Sequence, residues 1–264
     1  MKSIQFKNKK ITYADNGAGP VLVLVHGFCE DKNIWDSFIQ HLSDYRILRI
    51  DLPGFGESDI FKNTTIEEMA ETVKAMLENE AIENCTMIGH SMGGYVTLAF
   101  AEKYPKMLKG IGLFHSHPFA DNDEIKNRRI KSCNFMKKYG HFELLQQLIP
   151  KFFAPKFAKK NKALVNKMLY RASFNTAEGI IEAQNAMMLR KDRTSVLKKA
   201  KVPVLFIIGM QDLLFDLDEM LEQTYLAEIG SIHLLEGVGH GGMFEAEEEC
   251  AEIVMNFSNW SFEA

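Results

Sequence analysis

At 264 residues, with 46% hydrophobic and 25% charged residues, the chain has room for one large α/β domain, or for such a body carrying an insertion. That length buries a sizeable core without disulfides or structural metal. A formal net charge of -4 gives no reason to expect nucleic acid as a partner, and no apolar stretch is long enough for stable membrane insertion.

Met1 to Lys7 carries charge with no apolar run behind it, so no signal peptide is visible. Ile4 to Lys7 and Lys10 to Asp15 read as a hairpin. Val21 to Val25 is continuously apolar, which fits a strand covered on both faces in a parallel sheet. Tyr45 to Ile50 reads as the next strand. Ile66 to Glu80 carries a helical apolar stripe (Ile66, Met69, Ala70, Val73, Met76, Leu77), with Thr64 or Thr65 able to cap its start. Thr86 to Gly89 and Leu108 to Phe114 read as strands flanking a helix over Tyr95 to Tyr104.

From Asp121 to Lys201 the alternation stops and several helices are expected. This stretch holds 19 Lys and Arg against 7 Asp and Glu, a formal +12. The totals of 31 and 35 leave 12 and 28 elsewhere, a formal -16. A basic helical insertion between two strands of an acidic body reads as a lid over the strand ends, with 1–120 and 202–264 as the core. Its charge invites an anionic substrate or membrane surface, although a solvated face complementing the acidic body explains it as well. Strands over Val204 to Gly209 and Ser231 to Leu235 and a helix over Phe244 to Phe257 complete the chain. Strand, helix, strand in series means an α/β, doubly wound sheet whose sites lie outside the carboxyl ends of the strands. The four cysteines, Cys29, Cys85, Cys133 and Cys250, are scattered without a Cys-x-x-Cys pair. Reduced thiols in a cytoplasmic protein are the simplest reading.

The strongest chemical signal is Gly89-His90-Ser91-Met92-Gly93, directly after one strand and before a helix. The two glycines permit a turn too tight for side chains, and the turn lifts the serine hydroxyl clear of the sheet edge. The helix behind it aims free N–H groups at developing negative charge. A glycine-rich turn with an idle serine is the bland alternative. A serine hydroxyl needs a base to take its proton. Of eight histidines, His240 fits best, flanked by glycines in Gly237-Val238-Gly239-His240-Gly241-Gly242 after the last strand. The orienting carboxylate is expected just after the strand Val204 to Gly209, where Asp212 is the choice. Asp216 and Asp218 compete, each also readable as a helix cap. His26-Gly27-Phe28 follows Val21 to Val25, and a turn there points the Phe28 N–H, with that of Met92, toward an oxyanion hole. His26 itself reads as structural. His115-Ser116-His117 follows the sixth strand. It offers no clear metal set, and either histidine could contact substrate or simply pack at the hinge.

These stretches, in this order, resemble the α/β-hydrolase fold family from about Val21 to Phe257, with Asp51-Leu52-Pro53-Gly54-Phe55-Gly56-Glu57-Ser58 matching its Asp-x-x-Gly-x-Gly-x-Ser loop, which is structural in the family. The resemblance implies an eight-stranded, mostly parallel sheet, a lid after the sixth strand, and a triad of Ser91, Asp212 and His240. It implies an esterase, thioesterase or lactonase acting on a small-molecule acyl substrate with no metal or organic cofactor. Serine rather than aspartate at the turn argues against a dehalogenase or epoxide hydrolase. Tyr95 after the paired glycines argues against the family's menaquinone-pathway lyase, and His90 in place of asparagine argues against carbon–carbon bond hydrolases. A slow or inactive small-molecule receptor on the same fold is the rival from another class. Cys29 departs from the small residue usual at its position and is expected to leave the oxyanion hole intact, with a thiol open to modification. Oligomeric state is not written in these features.

Overall fold

Along Val21–Val25 the side chains alternate between two apolar layers. Leu22 and Leu24 pack with Trp35, Phe38, Val254 and Phe257, whereas Val23 and Val25 pack with Ile66, Met69, Val73 and Val96. A strand sandwiched in this way is apolar at every position, which is why the run is unbroken.

The computed structural model describes residues 1–263. Its strands are β1 (Lys2–Phe6), β2 (Lys9–Asn16), β3 (Val21–Val25), β4 (Arg46–Ile50), β5 (Cys85–His90), β6 (Leu108–Phe114), β7 (Val204–Gly209) and β8 (Gly230–Leu235). They form one sheet in the order β1-β2-β4-β3-β5-β6-β7-β8. The β1–β2 and β2–β4 pairs are antiparallel, and the other five are parallel. The eight-stranded, mostly parallel sheet therefore stands as the family resemblance implies. β8, at the edge, alternates between partly buried and exposed positions until Leu235.

Helices α1 (Ile66–Asn79) and α2 (Met92–Lys103) supply one apolar layer. Thr65 rather than Thr64 caps α1, its side chain accepting from the Glu68 N–H at 3.0 Å. α2 starts three residues before the expected Tyr95. Gly93 and Gly94 are weak helix formers, but packing overrides propensity here, because the backbone of Gly93 lies against the carbonyls of β3. Between β6 and β7 lie six helices: α3 (Asp123–Tyr139), α4 (Phe142–Leu148), α5 (Pro155–Lys160), α6 (Lys162–Ala172), α7 (Ala177–Leu189) and α8 (Thr194–Lys199). Asp121 ties this segment together, receiving Arg129 and Arg190 at 2.6 Å each. Its basic residues also meet the acidic body. Arg193 bridges Glu67 of α1 and Glu102 of α2, and Arg171 reaches Asp31.

After β7 come α9 (Leu217–Glu222), α10 (Gly242–Glu245) and α11 (Glu247–Glu263). The single helix expected over Phe244 to Phe257 is broken at Ala246 (φ -141, ψ 54). Glu247, Glu248 and Glu249 fill the first turn of α11 and favour a new helix start there, opposite the positive end of its dipole.

Candidate active site

Ser91 stands between β5 and α2 with φ 51 and ψ -118, a left-handed backbone that a non-glycine residue holds only under constraint. The constraint is visible. The Ser91 N–H donates to the Phe114 carbonyl at 3.0 Å, and its own carbonyl accepts from Gly94 N–H at 2.9 Å and Ser116 Oγ at 2.7 Å. A Cβ on Gly89 would lie 2.1 Å from the Gly93 oxygen, and one on Gly93 would lie 2.3 Å from the Val25 oxygen. Only glycine fits on either side of the serine.

His240 is fully buried, and its Nδ1 lies 2.6 Å from Asp212 Oδ2. The other Asp212 oxygen accepts from the N–H groups of Leu214 and Phe215 at 2.7 and 3.3 Å, which fixes the carboxylate plane. Burial pushes the Asp212 carboxyl up, but the charge and hydrogen bond of His240 outweigh it and hold the group at about 2. Asp216 caps α9, accepting from Asp218 and Glu219 N–H, and plays no part in this pairing. Nε2 of His240 has no hydrogen-bond partner among the described residues. Around the ring stand Phe215 and Phe152, with centroids at 5.1 and 5.5 Å.

The loop after β3 comes close to the serine turn: a Cβ on Gly27 would lie 3.1 Å from Ser91 Cβ and 2.8 Å from His90 Nδ1. His26 shapes this loop. Its Nε2 accepts from the Leu52 N–H at 3.0 Å, so its proton sits on Nδ1 and is donated to the Gly27 carbonyl at 2.7 Å. The Phe28 and Met92 N–H groups donate to no acceptor among the described residues, that of Met92 being one of the free donors of the first turn of α2. Cys29 departs from expectation. Its side chain is almost fully buried, and burial raises its thiol pKa well above the usual value, both of which oppose modification.

His115 and His117 face protein. His115 is fully buried, its Nδ1 accepting from the Gly209 N–H at 3.0 Å and its Nε2 lying 3.2 Å from the Gly242 nitrogen. It thus spans the loops that lead to Asp212 and away from His240. Burial drives its pKa well down, so it is neutral. His117 accepts from the Phe119 N–H on Nδ1 and faces Tyr95 Oη with Nε2, both at 3.2 Å, and burial lowers its pKa to about 3.

Three further groups escaped the sequence reading. Glu245 Oε1 accepts from the N–H groups of Gly239 and Gly241, on either side of His240, at 3.0 and 3.1 Å. Its Oε2 accepts from Ala154 at 2.8 Å. Glu30 and His90 are buried together: Glu30 Oε2 accepts from Gly27 N–H at 2.6 Å and meets His90 Nδ1 at 2.9 Å, while His90 Nε2 meets the His240 carbonyl at 2.9 Å. The signal for Glu245 is its short distance from His240 in sequence. Nothing in the sequence pairs Glu30 with His90. The family's Asp-x-x-Gly-x-Gly-x-Ser loop is a hub: Asp51 accepts from Lys32 Nζ, Lys32 N–H, Thr12 Oγ1 and Glu57 N–H. A surface hollow of about 700 Å³ beside it, between Gly54, Asp59 and Thr176, includes none of Ser91, Asp212 and His240 in its lining.

A family model described as alpha/beta hydrolase fold matches residues 20–242. Lipase 1 of Psychrobacter immobilis is 28% identical over 262 residues, covering 92% of this chain and 78% of the lipase. A 2-hydroxy-6-oxononadienedioate/2-hydroxy-6-oxononatrienedioate hydrolase of Paraburkholderia phymatum is 25% identical over 274 residues, covering 94% of this chain and 90% of that enzyme. A thermophilic esterase from Thermogutta terrifontis superposes with a TM-score of 0.93 at 25% identity over 98% of both chains.

Proposed function

Because the chain belongs to the α/β-hydrolase fold family, we propose that this hydrolase cleaves carboxylic esters or close relatives through an acyl-enzyme on Ser91. The observation that carries the reading is the 2.6 Å bond from His240 Nδ1 to Asp212, which leaves Nε2 without a hydrogen-bond partner, Ser91 Oγ included, in a ring whose centroid lies 4.9 Å from that of His90, the residue before Ser91. With its Nδ1 proton held by the carboxylate, the imidazole is in the tautomer whose Nε2 can accept a proton.

His240 Nε2 takes the Ser91 proton as Oγ bonds to the carbonyl carbon. The Phe28 and Met92 N–H groups receive the oxyanion, and the positive end of α2 reinforces them. As the carbon–oxygen bond to the alcohol breaks, the imidazolium returns its proton to the leaving oxygen. Water, deprotonated by the same nitrogen, then releases the acid and restores Ser91. The helices between β6 and β7 act as a lid, and Phe152 and Phe215 give the reacting group apolar walls. His115 acts beneath the site, not on the substrate. The lipase and esterase relatives support the ester reading.

Turnover of p-nitrophenyl acetate and butyrate, with fluorophosphonate labelling mapped by mass spectrometry, tests this reading. Wild type is expected to turn over and to carry the adduct on Ser91, and Ser91→Ala to do neither. Equal inertness of the two proteins would favour a receptor. A second reading, carbon–carbon bond hydrolysis, draws on the Paraburkholderia phymatum relative. It predicts turnover of a 2-hydroxy-6-oxo dienoate at a kcat/KM above that of the esters.

A further inference from the structure

Beneath the serine turn lies an ion pair that the reaction steps do not use. The side chains of Glu30 and His90 are 2% and 1% exposed, and a charge so buried persists only where every partner is in place. The partners can be traced atom by atom. The Gly27 N–H can only donate, so Glu30 Oε2 accepts it at 2.6 Å. The His240 carbonyl can only accept, so His90 Nε2 carries a proton and donates it at 2.9 Å. The remaining contact, His90 Nδ1 to Glu30 Oε2 at 2.9 Å, is strongest with the proton on nitrogen and the carboxylate charged.

The surroundings favour the charged form. Burial lowers the His90 pKa, but Glu30, then the His240 carbonyl and the charge of Asp212, outweigh it and raise the value. Burial likewise opposes Glu30, and His90, then His26 and the Gly27 N–H, bring it below the ordinary range. The other groups facing the ring are the neutral His115, the His240 imidazole, and the edges of Trp35 and Phe114.

We propose that Glu30 and His90 are positioning residues: an imidazolium at His90, held by Glu30, bonds the His240 carbonyl to the turn that carries Ser91. This role rests on the hydrolase reading above. His240 is then held at two points, its ring by Asp212 and its main chain by His90. Because His90 is the residue before Ser91, base and nucleophile share one rigid link. The same Glu30 oxygen holds Gly27, so the link extends to the loop bearing the Phe28 N–H.

Side-chain nitrogen NMR on the full chain, read beside ester kinetics, tests this. In wild type both His90 ring nitrogens are expected to stay protonated to a pH above the ordinary histidine midpoint of about 6.5. In Glu30→Gln the His90 proton count falls to one at a lower pH than in wild type. For p-nitrophenyl butyrate at pH 8, Glu30→Gln and His90→Gln each lower kcat about 10- to 100-fold, the scale of a misplaced reacting group, with KM within about twofold. The double variant loses no more than the worse single one, since both break one link. Melting temperatures report folding. Should Glu30→Gln not fold, the wild-type spectrum and His90→Gln carry the test. A neutral His90 in wild type, an unchanged kcat in Glu30→Gln, or losses that multiply in the double variant would each overturn the proposal. A wild type that neither hydrolyses ester nor takes fluorophosphonate overturns the positioning role through the hydrolase reading, and an intact imidazolium signal distinguishes that failure from a missing ion pair.

Discussion

His240 Nδ1 and Asp212 Oδ2, 28 residues apart in the chain, meet at 2.6 Å in a site where both side chains are at most 5% exposed. The short contact and the depressed Asp212 pKa share one cause, a carboxylate whose charge is retained in the interior by the imidazole. Replacing that charge while keeping the shape isolates its role. Asp212→Asn is expected to lower kcat by about 10⁴-fold with KM little changed, because an amide no longer holds the Nδ1–H tautomer. Steady-state ester kinetics, with circular dichroism to establish folding, check it.

The same carboxylate links stability to pH. Its pKa falls on folding from 3.8 to about 2. A depressed carboxyl contributes stability that is present above the unfolded value and lost as pH falls through the folded one. Wild type is therefore expected to lose about 2 kcal/mol more than Asp212→Asn between pH 5 and pH 2. Urea unfolding across that window measures the difference, and parallel curves for the two proteins would refute it.

Two glycines make a matched pair. A Cβ on Gly93 meets the Val25 backbone oxygen at 2.3 Å, whereas one on Gly230, at the start of the edge strand, finds nothing nearer than 3.8 Å. Gly93→Ala should destabilise by about 3 kcal/mol or more, since backbone has to move. Gly230→Ala should stay within about 0.5 kcal/mol of wild type. Thermal melts of both, with fluorophosphonate labelling of Gly93→Ala, test the contrast.

All four cysteines are free and buried. Burial pushes the thiols of Cys29, Cys85 and Cys250 upward, that of Cys85 to about 12, so little thiolate exists at pH 8. Native protein should therefore resist a thiol reagent such as dithionitrobenzoate over an hour, and all four groups should react at once in guanidinium. Rapid labelling of Cys29 in the native state would contradict the burial of the β3 loop.

What the sequence revealed follows from how each feature is encoded. The strands were legible because a doubly covered strand has to be apolar throughout, as in Val21–Val25 and Val204–Gly209. The serine turn was legible because Gly89 and Gly93 leave no alternative side chain. Asp212 and His240 were found through their places after strands, and the fold brings them into hydrogen-bond contact. The Glu30–His90 pair was not legible, since 60 residues separate partners that only the parallel packing of β3 beside β5 brings together. The two histidines after β6 fit either substrate contact or hinge packing on sequence alone, because exposure is a tertiary property. Their spacing was visible, but the closure of Gly209 and Gly242 over His115 was not. The break at Ala246 was hidden within an apolar pattern that a straight helix would also satisfy.

Glu245 has one oxygen on each side of a seam. Oε1 holds the amides flanking His240, and Oε2 holds Ala154, which belongs to the helical segment inserted between β6 and β7. Anyone transplanting that segment from a homologue to alter selectivity would also be exchanging a strut of the loop that carries His240. A graft that displaces the backbone N–H at position 154, or puts proline there, leaves a half-buried carboxylate oxygen without its partner, so turnover number and selectivity would shift together. Chimeras of this protein should keep the backbone path at position 154 and place no proline there.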